Sequence, residues 1–385
     1  MSSAKLSWVC LPPLIAACGT TAGSPEGSGL EVPPGFPTPS VPADNPVTPE
    51  KTELGRHLFY EVRLSGNGTQ SCGTCHEQAK AFTDGRAVAE GSTGELHPRN
   101  SSTLTNVVYN ATLTWASPVL TELEQQFLVP IFGENPVELG ASPYQNEILD
   151  RLEADPLYGE LFSRAFPDEA SPIHWDNIIR ALATFVRGLV SGDSPFDRFV
   201  YEGDTEALSA SALRGLELFF SERLECHHCH GGFNFTESSV HAGSVFDASR
   251  FHNTGLYNLD RLGAYPPENT GLFETTGLPE DMGRFRPPTL RNIAVTGPYM
   301  HDGSVETLEE VIKIYEAGGR VIDEGPYAGD GRVSPLKSGF VAGFTLTDGE
   351  REDLLNFLES LTDRNFLEDP RFYRPLRPAF AVSFV

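Results

Sequence analysis

Apolar residues recur at helical spacing in several parts of the chain, and these stripes are the first guide to the fold. Between Asp176 and Val190 they fall three or four positions apart, as on one face of a helix. A second stripe from Thr347 to Leu361 predicts a closing helix. Strand signals are few, so the pattern predicts a mainly α protein with long loops. The inward positions are Ile178, Ile179, Leu182, Phe185 and Leu189 in the first stripe and Leu354, Leu355, Phe357, Leu358 and Leu361 in the second.

Capping residues mark where two further helices begin. Thr48 before Pro49 predicts an N-cap followed by proline at the first helical position. Thr307, three residues before Glu310, has the spacing of a capping box. The helix that it opens is expected to stop at the glycine pair of residues 318–319.

The cysteines carry the main chemical signal. Four of the six form two pentapeptides of the form C-x-x-C-H, Cys72–His76 and Cys226–His230. This spacing suits covalent haem attachment, because two thiols add to the haem vinyl groups and the next histidine ligates the iron. Zinc sites, redox dithiols and disulfides are alternatives, but zinc requires four clustered ligands. We expect two covalent haem c groups, attached through Cys72, Cys75, Cys226 and Cys229, with His76 and His230 as iron ligands.

Each haem motif lies in a similar local sequence. The segment Leu54–Leu64 precedes the first motif and Arg214–Leu224 precedes the second. Related tripeptides, residues 81–83 and 234–236, follow the motifs. The repeat length of about 150 residues is that of a domain pair. We therefore expect two cytochrome c-like haem domains related by duplication, over residues 48–200 and 201–385.

Length and charge bound the function classes. The chain has 385 residues, enough for two domains of ordinary size. Its formal net charge is -25, from 28 lysines and arginines against 53 acidic residues. Nucleic-acid binding rewards a basic surface, so a nucleic-acid partner is not expected. An acidic exterior suits solubility or a basic protein partner.

The amino terminus has the features of an export signal. Lys5 precedes the apolar stretch Trp8–Ala17, which ends in small residues before Cys18 and resembles a bacterial lipobox. We expect residues 1–18 to be a lipoprotein signal with lipid attached at Cys18, and an ordinary cleaved signal peptide is the alternative. Residues 19–47, rich in Gly, Pro, Ser and Thr, are expected to be a flexible tether. Either signal places the mature chain in the periplasm, and no later run approaches the roughly 18 apolar residues of a membrane span.

Segments outside the haem motifs carry a family resemblance. From about Pro46 to Asp363 the chain resembles the bacterial di-haem cytochrome c peroxidase and MauG superfamily. Within it, the chain is most similar to the MauG-like lipoproteins associated with methanobactin-type copper proteins, through the lipobox, the tether and residues 221–225. The blocks that carry the family resemblance are Arg99–Trp115, Asn135–Glu138, Pro287–Asn292 and Thr296–Gly303.

The resemblance implies that the first haem, at His76, is the peroxide-reacting one. The family's distal acid matches Glu138, and a family glutamine on the same face matches Gln126, with Gln125 as the alternative. Such an acid moves a proton between the two peroxide oxygens. The family tryptophan that passes charge between the haems matches Trp115. A surface carboxylate and a core aromatic are the structural alternatives for Glu138 and Trp115.

The distal ligand of the second haem separates two subclasses of the family. Electron-accepting peroxidases place methionine there, whereas MauG-like enzymes place tyrosine. The twelfth residue after Gly303 is Tyr315, which shares a helical face with Leu308, Val311 and Ile312. A phenolate ligand stabilises oxidised iron, whereas a thioether favours reduced iron. Tyr315 is the expected ligand, Met300 is the rival, and a core tyrosine is the structural alternative.

Two further family features bear on function. A family calcium site between the domains matches Asn100 and the carbonyls of Thr296 and Pro298, oxygen donors of the kind calcium prefers. MauG has a tryptophan two residues before its second haem motif, which it uses in oxidising its protein partner. This chain has Leu224 at that position. Charge would therefore leave by another route, or the partner would dock elsewhere.

The sequence thus predicts a lipid-anchored di-haem enzyme that uses hydrogen peroxide. The resemblance implies oxidation of an aromatic residue in a partner protein, and suggests tryptophan oxidation to kynurenine in a companion copper-binding lipoprotein. One alternative is a cytochrome c peroxidase that takes electrons from a small cytochrome or cupredoxin. Another is a non-catalytic di-haem electron carrier, against which Glu138 and the asymmetry of the halves speak.

Overall fold

The computed structural model describes residues 29–245 and 250–376. Helices joined by long loops dominate this part of the chain, as predicted. In the first half they are α1 (Pro49–Phe59), α2 (Cys72–Cys75), α3 (Leu123–Phe132), α4 (Gln145–Glu153), α5 (Pro156–Ala165), α6 (Trp175–Arg187) and α7 (Pro195–Tyr201). In the second half they are α8 (Ala210–Phe219), α9 (His227–His230), α10 (Phe273–Thr276), α11 (Leu308–Ala317), α12 (Asp348–Glu359) and α13 (Arg364–Glu368).

Strand structure within the described ranges is confined to a small hairpin and isolated bridges. Strand β1 (Val321–Ile322) pairs antiparallel with β2 (Gly329–Asp330), and Val321 lies opposite Asp330. The six residues between the two strands form a loop at the surface.

The predicted helix ends are confirmed where the sequence carried a cap. The Thr48 side chain accepts the Lys51 amide at the start of α1. Thr307 and Glu310 form the reciprocal capping box of α11, which ends at Gly318 with a φ of 72°. A side-chain acceptor satisfies a helix-end amide that would otherwise have no partner inside the helix.

Two helix crossings form the frame of the molecule. Helix α1 packs on α6, and α8 packs on α12. A Cβ atom at Gly55 would lie 2.0 Å from the Ala181 carbonyl oxygen, and one at Gly215 would lie 2.0 Å from the Asp353 carbonyl oxygen. Glycine therefore lets the helix backbones touch at both crossings.

A pair of phenylalanine rings packs at each crossing. The rings of Phe59 and Phe185 lie 5.2 Å apart at the first, and those of Phe219 and Phe357 lie 5.1 Å apart at the second. Each pair belongs to a separate cluster of buried apolar residues. Edge-on and tilted ring contacts add stability beyond the burial of apolar area.

Residues 29–47, predicted as part of a flexible tether, instead pack on the helical body. Leu30 and Phe36 are buried in a cluster with Tyr109, whose hydroxyl donates to the Pro37 carbonyl at 2.8 Å. Asn45 is buried as well and donates to Glu124 at 2.7 Å. Burial of these side chains offsets the entropy cost of ordering a segment rich in glycine and proline.

Two predictions for the amino terminus fall beyond the structural description. The lipoprotein signal and the attachment residue Cys18 lie outside the described residues. Within residues 29–245 and 250–376, no helix combines the length and the apolar character needed to cross a membrane.

Substitution of Gly215 by alanine tests the close crossing of α8 and α12. The added methyl group meets the Asp353 carbonyl, so we expect the free energy of unfolding to fall by about 1–3 kcal/mol. Gly159 in α5 is the matched control, because beyond its own helix a Cβ there would have no neighbour within 4 Å among the described residues. Gly159→Ala should raise the free energy of unfolding by about 0.5–1 kcal/mol. Urea unfolding of both variants measures the difference, and equal effects would contradict the packing.

Candidate active site

The first haem motif forms a single helical turn between two loops. Helix α2 spans both of its cysteines, and His76 follows directly as the C-cap. The Nδ1 atom of His76 lies 2.7 Å from the carbonyl oxygen of Phe82. Donation from Nδ1 to that carbonyl fixes the tautomer and leaves Nε2 as the atom free to bind a metal.

The second motif repeats this arrangement. Helix α9 contains His230, with Cys226 as its N-cap. The Nδ1 atom of His230 lies 3.1 Å from the Phe235 carbonyl oxygen. Both phenylalanines have a positive φ, 61° for Phe82 and 48° for Phe235. The two loops thus aim their carbonyls at the motif histidines by the same backbone turn.

Burial keeps the two motif histidines uncharged. It lowers the pKa of His76, against the opposing effects of the Phe82 carbonyl and the Glu138 carboxylate. It also lowers the pKa of His230, to about 4. Each imidazole is therefore neutral near pH 7, as a metal ligand must be. Burial raises the pKa of Cys72 to about 12, and within residues 29–245 and 250–376 none of the four motif cysteines is in a disulfide.

A large, mostly apolar cavity lies beside the second motif. It encloses about 1340 Å³, counting its opening to solvent, and His230 forms part of its wall. Tyr315 lines the same cavity, as does Met300. Burial raises the pKa of the Tyr315 phenol. The predicted inward face of α11 is confirmed, because Leu308, Val311, Ile312 and Tyr315 all line this cavity.

Two buried polar side chains in the cavity wall were missed by the sequence reasoning. Arg286 donates Nε to the Thr114 carbonyl at 3.2 Å, but its Nη1 atom has no partner among the described residues. The buried Nε2 of His301 has none either, and its ring stacks on Phe285 with centroids 3.6 Å apart. Burial lowers the pKa of Arg286 to about 10. The sequence feature that could have identified them is their position, because Arg286 lies next to one family block and His301 lies inside another.

These residues fit a haem. The cavity offers apolar walls, an imidazole ligand from His230 and the thiols of Cys226 and Cys229 on one side. A haem carries two propionates, and the buried guanidinium of Arg286 is a suitable charge partner for a carboxylate. A group of this kind would satisfy the arginine nitrogen that has no partner in the part of the chain that the structure describes.

A buried ion pair holds the loop that follows the second motif. Arg291 is fully buried and binds both carboxylate oxygens of Asp197, at 2.8 and 2.9 Å. It also donates to the carbonyl of Phe233, at 2.9 Å from Nε. Thr289 donates to the Asn234 carbonyl at 2.6 Å. The family block of residues 287–292 therefore positions the loop that carries the Phe235 carbonyl.

Trp115 lies between the large cavity and a second, smaller cavity of about 520 Å³, again counting the opening to solvent, because it lines both. Its Nε1 donates to the Asn100 carbonyl at 2.9 Å. Asn100, Thr296 and Pro298, the predicted calcium residues, all line the smaller cavity. The structure thus brings the three together next to the tryptophan.

The distal residues predicted for the first haem lie in α3 and in the segment after it. The Glu138 carboxylate lies 3.2 Å from His97 Nε2 and is close enough to influence the pKa values of His76 and Cys72. Gln126 buries its side-chain oxygen with no hydrogen-bond partner among the described residues. Gln125 is exposed and donates to Glu122. Of the two glutamines, Gln126 is therefore the one with a buried amide oxygen.

Comparison with known proteins identifies the family of this chain. Residues 49–206 match the family model described as "Di-haem cytochrome c peroxidase". The methylamine utilization protein MauG of Methylorubrum extorquens is 35% identical, over 83% of this chain and 80% of its own. The cytochrome-c peroxidase IdrP1 of Denitromonas iodatirespirans is 33% identical, over 94% of this chain and 96% of its own.

Solved structures give the same result. The crystal structure of a MauG-like protein associated with microbial copper homeostasis is 51% identical, with a TM-score of 0.88, over 90% of this chain and 99% of that one. The di-haem peroxidase BthA of Burkholderia thailandensis shares the fold at 20% identity and a TM-score of 0.64. The resemblance drawn from the sequence is confirmed. The chain belongs to the di-haem cytochrome c peroxidase and MauG family of oxidoreductases.

Proposed function

We propose that this enzyme carries two covalent haem c groups and uses hydrogen peroxide to oxidise an aromatic residue of a partner protein. The two haems follow from family membership. Attachment through the four motif cysteines is supported by their free thiols and by the two histidines anchored in the same way. The matched helix crossings and loops support an origin of the two halves, residues 48–200 and 201–385, by duplication.

The first half is the proposed site of peroxide reaction. When bound, the haems supply iron that reduces peroxide and holds the resulting oxidising equivalents. Glu138 is the proposed acid and base that moves a proton from one peroxide oxygen to the other. His97 orients its carboxylate by the 3.2 Å contact, and Gln126 supplies a polar group on the same side.

The position of Tyr315 is the main support for the proposal. It lies on the inward face of α11, in the cavity that also holds His230. A tyrosine ligand at this position stabilises oxidised iron and suits a centre that oxidises other molecules. Burial raises the pKa of the free phenol, so binding to a cation such as ferric iron is what would favour the phenolate.

Trp115 is the proposed charge relay between the haem sites. It lines the cavity of the second motif and also the smaller cavity beside Asn100. We further propose that the smaller cavity binds Ca²⁺ through Asn100 and the carbonyls of Thr296 and Pro298. A cation there would make the backbone at Asn100, which accepts the hydrogen bond from Trp115, more rigid.

The proposed substrate is a companion copper-binding lipoprotein. The support is the 51% identical MauG-like structure, which is described as associated with microbial copper homeostasis. Two molecules of peroxide convert a tryptophan into N-formylkynurenine and two waters, and hydrolysis then releases formate and kynurenine. Attachment of lipid at Cys18 would place the enzyme at a membrane of the periplasm, where such a companion would be accessible.

Replacement of Tyr315 by phenylalanine tests the ligand assignment. Loss of the hydroxyl should change the visible and EPR spectra of the second haem, because an oxygen ligand is removed. Met300→Leu is the matched control and should leave the ferric spectra unchanged. The opposite pattern, with only Met300→Leu altering the spectra, would contradict the proposal.

Incubation with the companion lipoprotein and peroxide tests the function itself. We expect the companion's mass to change at one tryptophan, by the gain of two oxygens in N-formylkynurenine or, once formate has left, by the net exchange of one carbon for one oxygen in kynurenine. Peptide mapping should locate the change. Glu138→Gln should slow this reaction by about 10²–10⁴-fold, because the proton transfer loses its base. Glu147→Gln, at an exposed helical site, is the control and should leave the rate unchanged. If the enzyme consumes peroxide while the companion stays unmodified, the proposal is wrong.

A cytochrome c peroxidase activity is the second candidate. Its support is Met300, which lines the same cavity as His230. That function predicts rapid oxidation of a reduced small cytochrome or cupredoxin by peroxide, and no change in the companion's mass.

A further inference from the structure

Three tyrosines form a continuous line from the wall of the large cavity to the protein surface. Tyr265 lies with its ring centroid 6.2 Å from those of Phe285 and His301, which both line the cavity. The ring of Tyr257 is 5.4 Å from that of Tyr265, and the ring of Tyr327 is 5.8 Å from that of Tyr257. Neighbouring rings in this series are therefore in edge contact.

The inner end of this series is held firmly. A Cβ atom at Gly283 would lie 2.1 Å from the ring of Tyr265, so only glycine allows the ring to occupy this place. The Tyr265 hydroxyl donates to Asn253 at 2.9 Å and accepts the Leu256 amide at 3.1 Å. The ring nearest the cavity is thus fixed by packing and by two hydrogen bonds.

The two outer tyrosines each have a carboxylate in position to accept the phenolic proton. The Tyr257 hydroxyl donates to Asp302 at 2.6 Å, and the Tyr327 hydroxyl donates to Glu268 at 2.5 Å. A tyrosine that loses an electron becomes a strong acid, so its oxidation is far easier when a base can take the proton and later return it. Ordinary core tyrosines need only a hydrogen-bond partner, and two successive carboxylates suit proton-coupled oxidation.

The outer end of the series lies on the surface hairpin. Tyr327 lies in the loop between β1 and β2 and is 37% exposed. Asp323, Glu324 and Glu268 are exposed in the same region or in contact with the tyrosine. This acidic surface around an accessible tyrosine suits a protein partner that presents an aromatic residue within a basic patch.

We propose that Tyr265, Tyr257 and Tyr327 pass single electrons from a docked partner protein to the haem cavity. The inference rests on the proposed function, because the peroxide-oxidised centre is the electron acceptor. It supplies a route that does not depend on the position of Leu224. The docking site that it assigns is the acidic surface at Tyr327.

Each electron transfer along this route is balanced. Tyr257 loses an electron toward the cavity by way of Tyr265, and its proton moves to Asp302. Tyr327 then reduces the Tyr257 radical and passes its own proton to Glu268, while Asp302 returns its proton. The partner's aromatic residue finally reduces the Tyr327 radical, which recovers its proton from Glu268. Two such passages remove the two oxidising equivalents of one peroxide.

Spin trapping without any partner tests the route. Haem-loaded enzyme is mixed with peroxide and a nitroso spin trap, and labelled peptides are located by mass spectrometry. We expect a label at Tyr327. With no partner to supply electrons, the outermost tyrosine of the route remains oxidised and can react with the trap. Tyr257→Phe keeps the ring packing but cannot be oxidised as readily, so the label at Tyr327 should be lost. Tyr144→Phe, at a tyrosine 42% exposed outside the route, is the control and should retain it.

The haem spectra recorded in the same samples separate the two proposals. A normal spectral response to peroxide, with no label at Tyr327 or with a label that Tyr257→Phe leaves unchanged, overturns the tyrosine route alone. No spectral response in the unmodified enzyme overturns the proposed function and the route with it.

Oxidation of the companion protein is a second test of the route and of its docking surface. Tyr327→Phe should abolish most of the companion's mass change while the reaction of the haems with peroxide keeps its rate. Added salt should slow the companion reaction of the unmodified enzyme, because the docking surface is acidic. Full companion oxidation by Tyr327→Phe would overturn the assignment of the docking surface.

Discussion

The hydrogen bond between each motif histidine and a backbone carbonyl is the constraint on which the site depends. His76 bonds to Phe82, and His230 bonds to Phe235. Both carbonyls come from residues in the left-handed region, which is uncommon outside glycine and requires support from the surrounding structure. That support is the packing of each phenylalanine ring against the crossing helices of its own half. The helices, the loops and the buried aromatic residues together keep a neutral imidazole aimed in one direction.

The two halves share this frame and differ in what surrounds it. Near the first motif lies a carboxylate, Glu138, that is partly exposed and in contact with His97. Near the second lies Tyr315, in a cavity whose walls are mostly apolar. We propose different tasks for the carboxylate beside the first motif and the phenol beside the second. The carboxylate would protonate peroxide, and the phenol would stabilise an oxidised iron.

The sequence predicted the features whose signals are local. The caps at Thr48 and Thr307, the haem motifs and the inward face of α11 each depend on residues within a few positions of one another. The composition of segment 29–47 predicts a flexible tether, whereas the structure buries Leu30 and Phe36 against a distant part of the chain. Composition alone does not reveal such a binding site.

Features that arise only in three dimensions were not predicted. That Arg286 Nη1 lacks a partner within residues 29–245 and 250–376 is visible only once its neighbours are in place. The tyrosine series joins Tyr257, Tyr265 and Tyr327, whose separations along the chain follow no helical or strand period. In the same way, the sequence does not decide between Gln125 and Gln126 as the glutamine on the distal face of the first haem. Only the fold shows that Gln125 is exposed.

Tyr315 as the proposed distal ligand of the second haem implies that the fully oxidised enzyme reacts with peroxide directly. The most direct test is to add one equivalent of hydrogen peroxide to the fully ferric protein and record visible, near-infrared and EPR spectra. We expect a long-lived change that involves both haems, with no reductant present. A protein that stays unchanged until one haem has first been reduced would belong with the electron-accepting peroxidases, and the assignment of Tyr315 as ligand would be wrong.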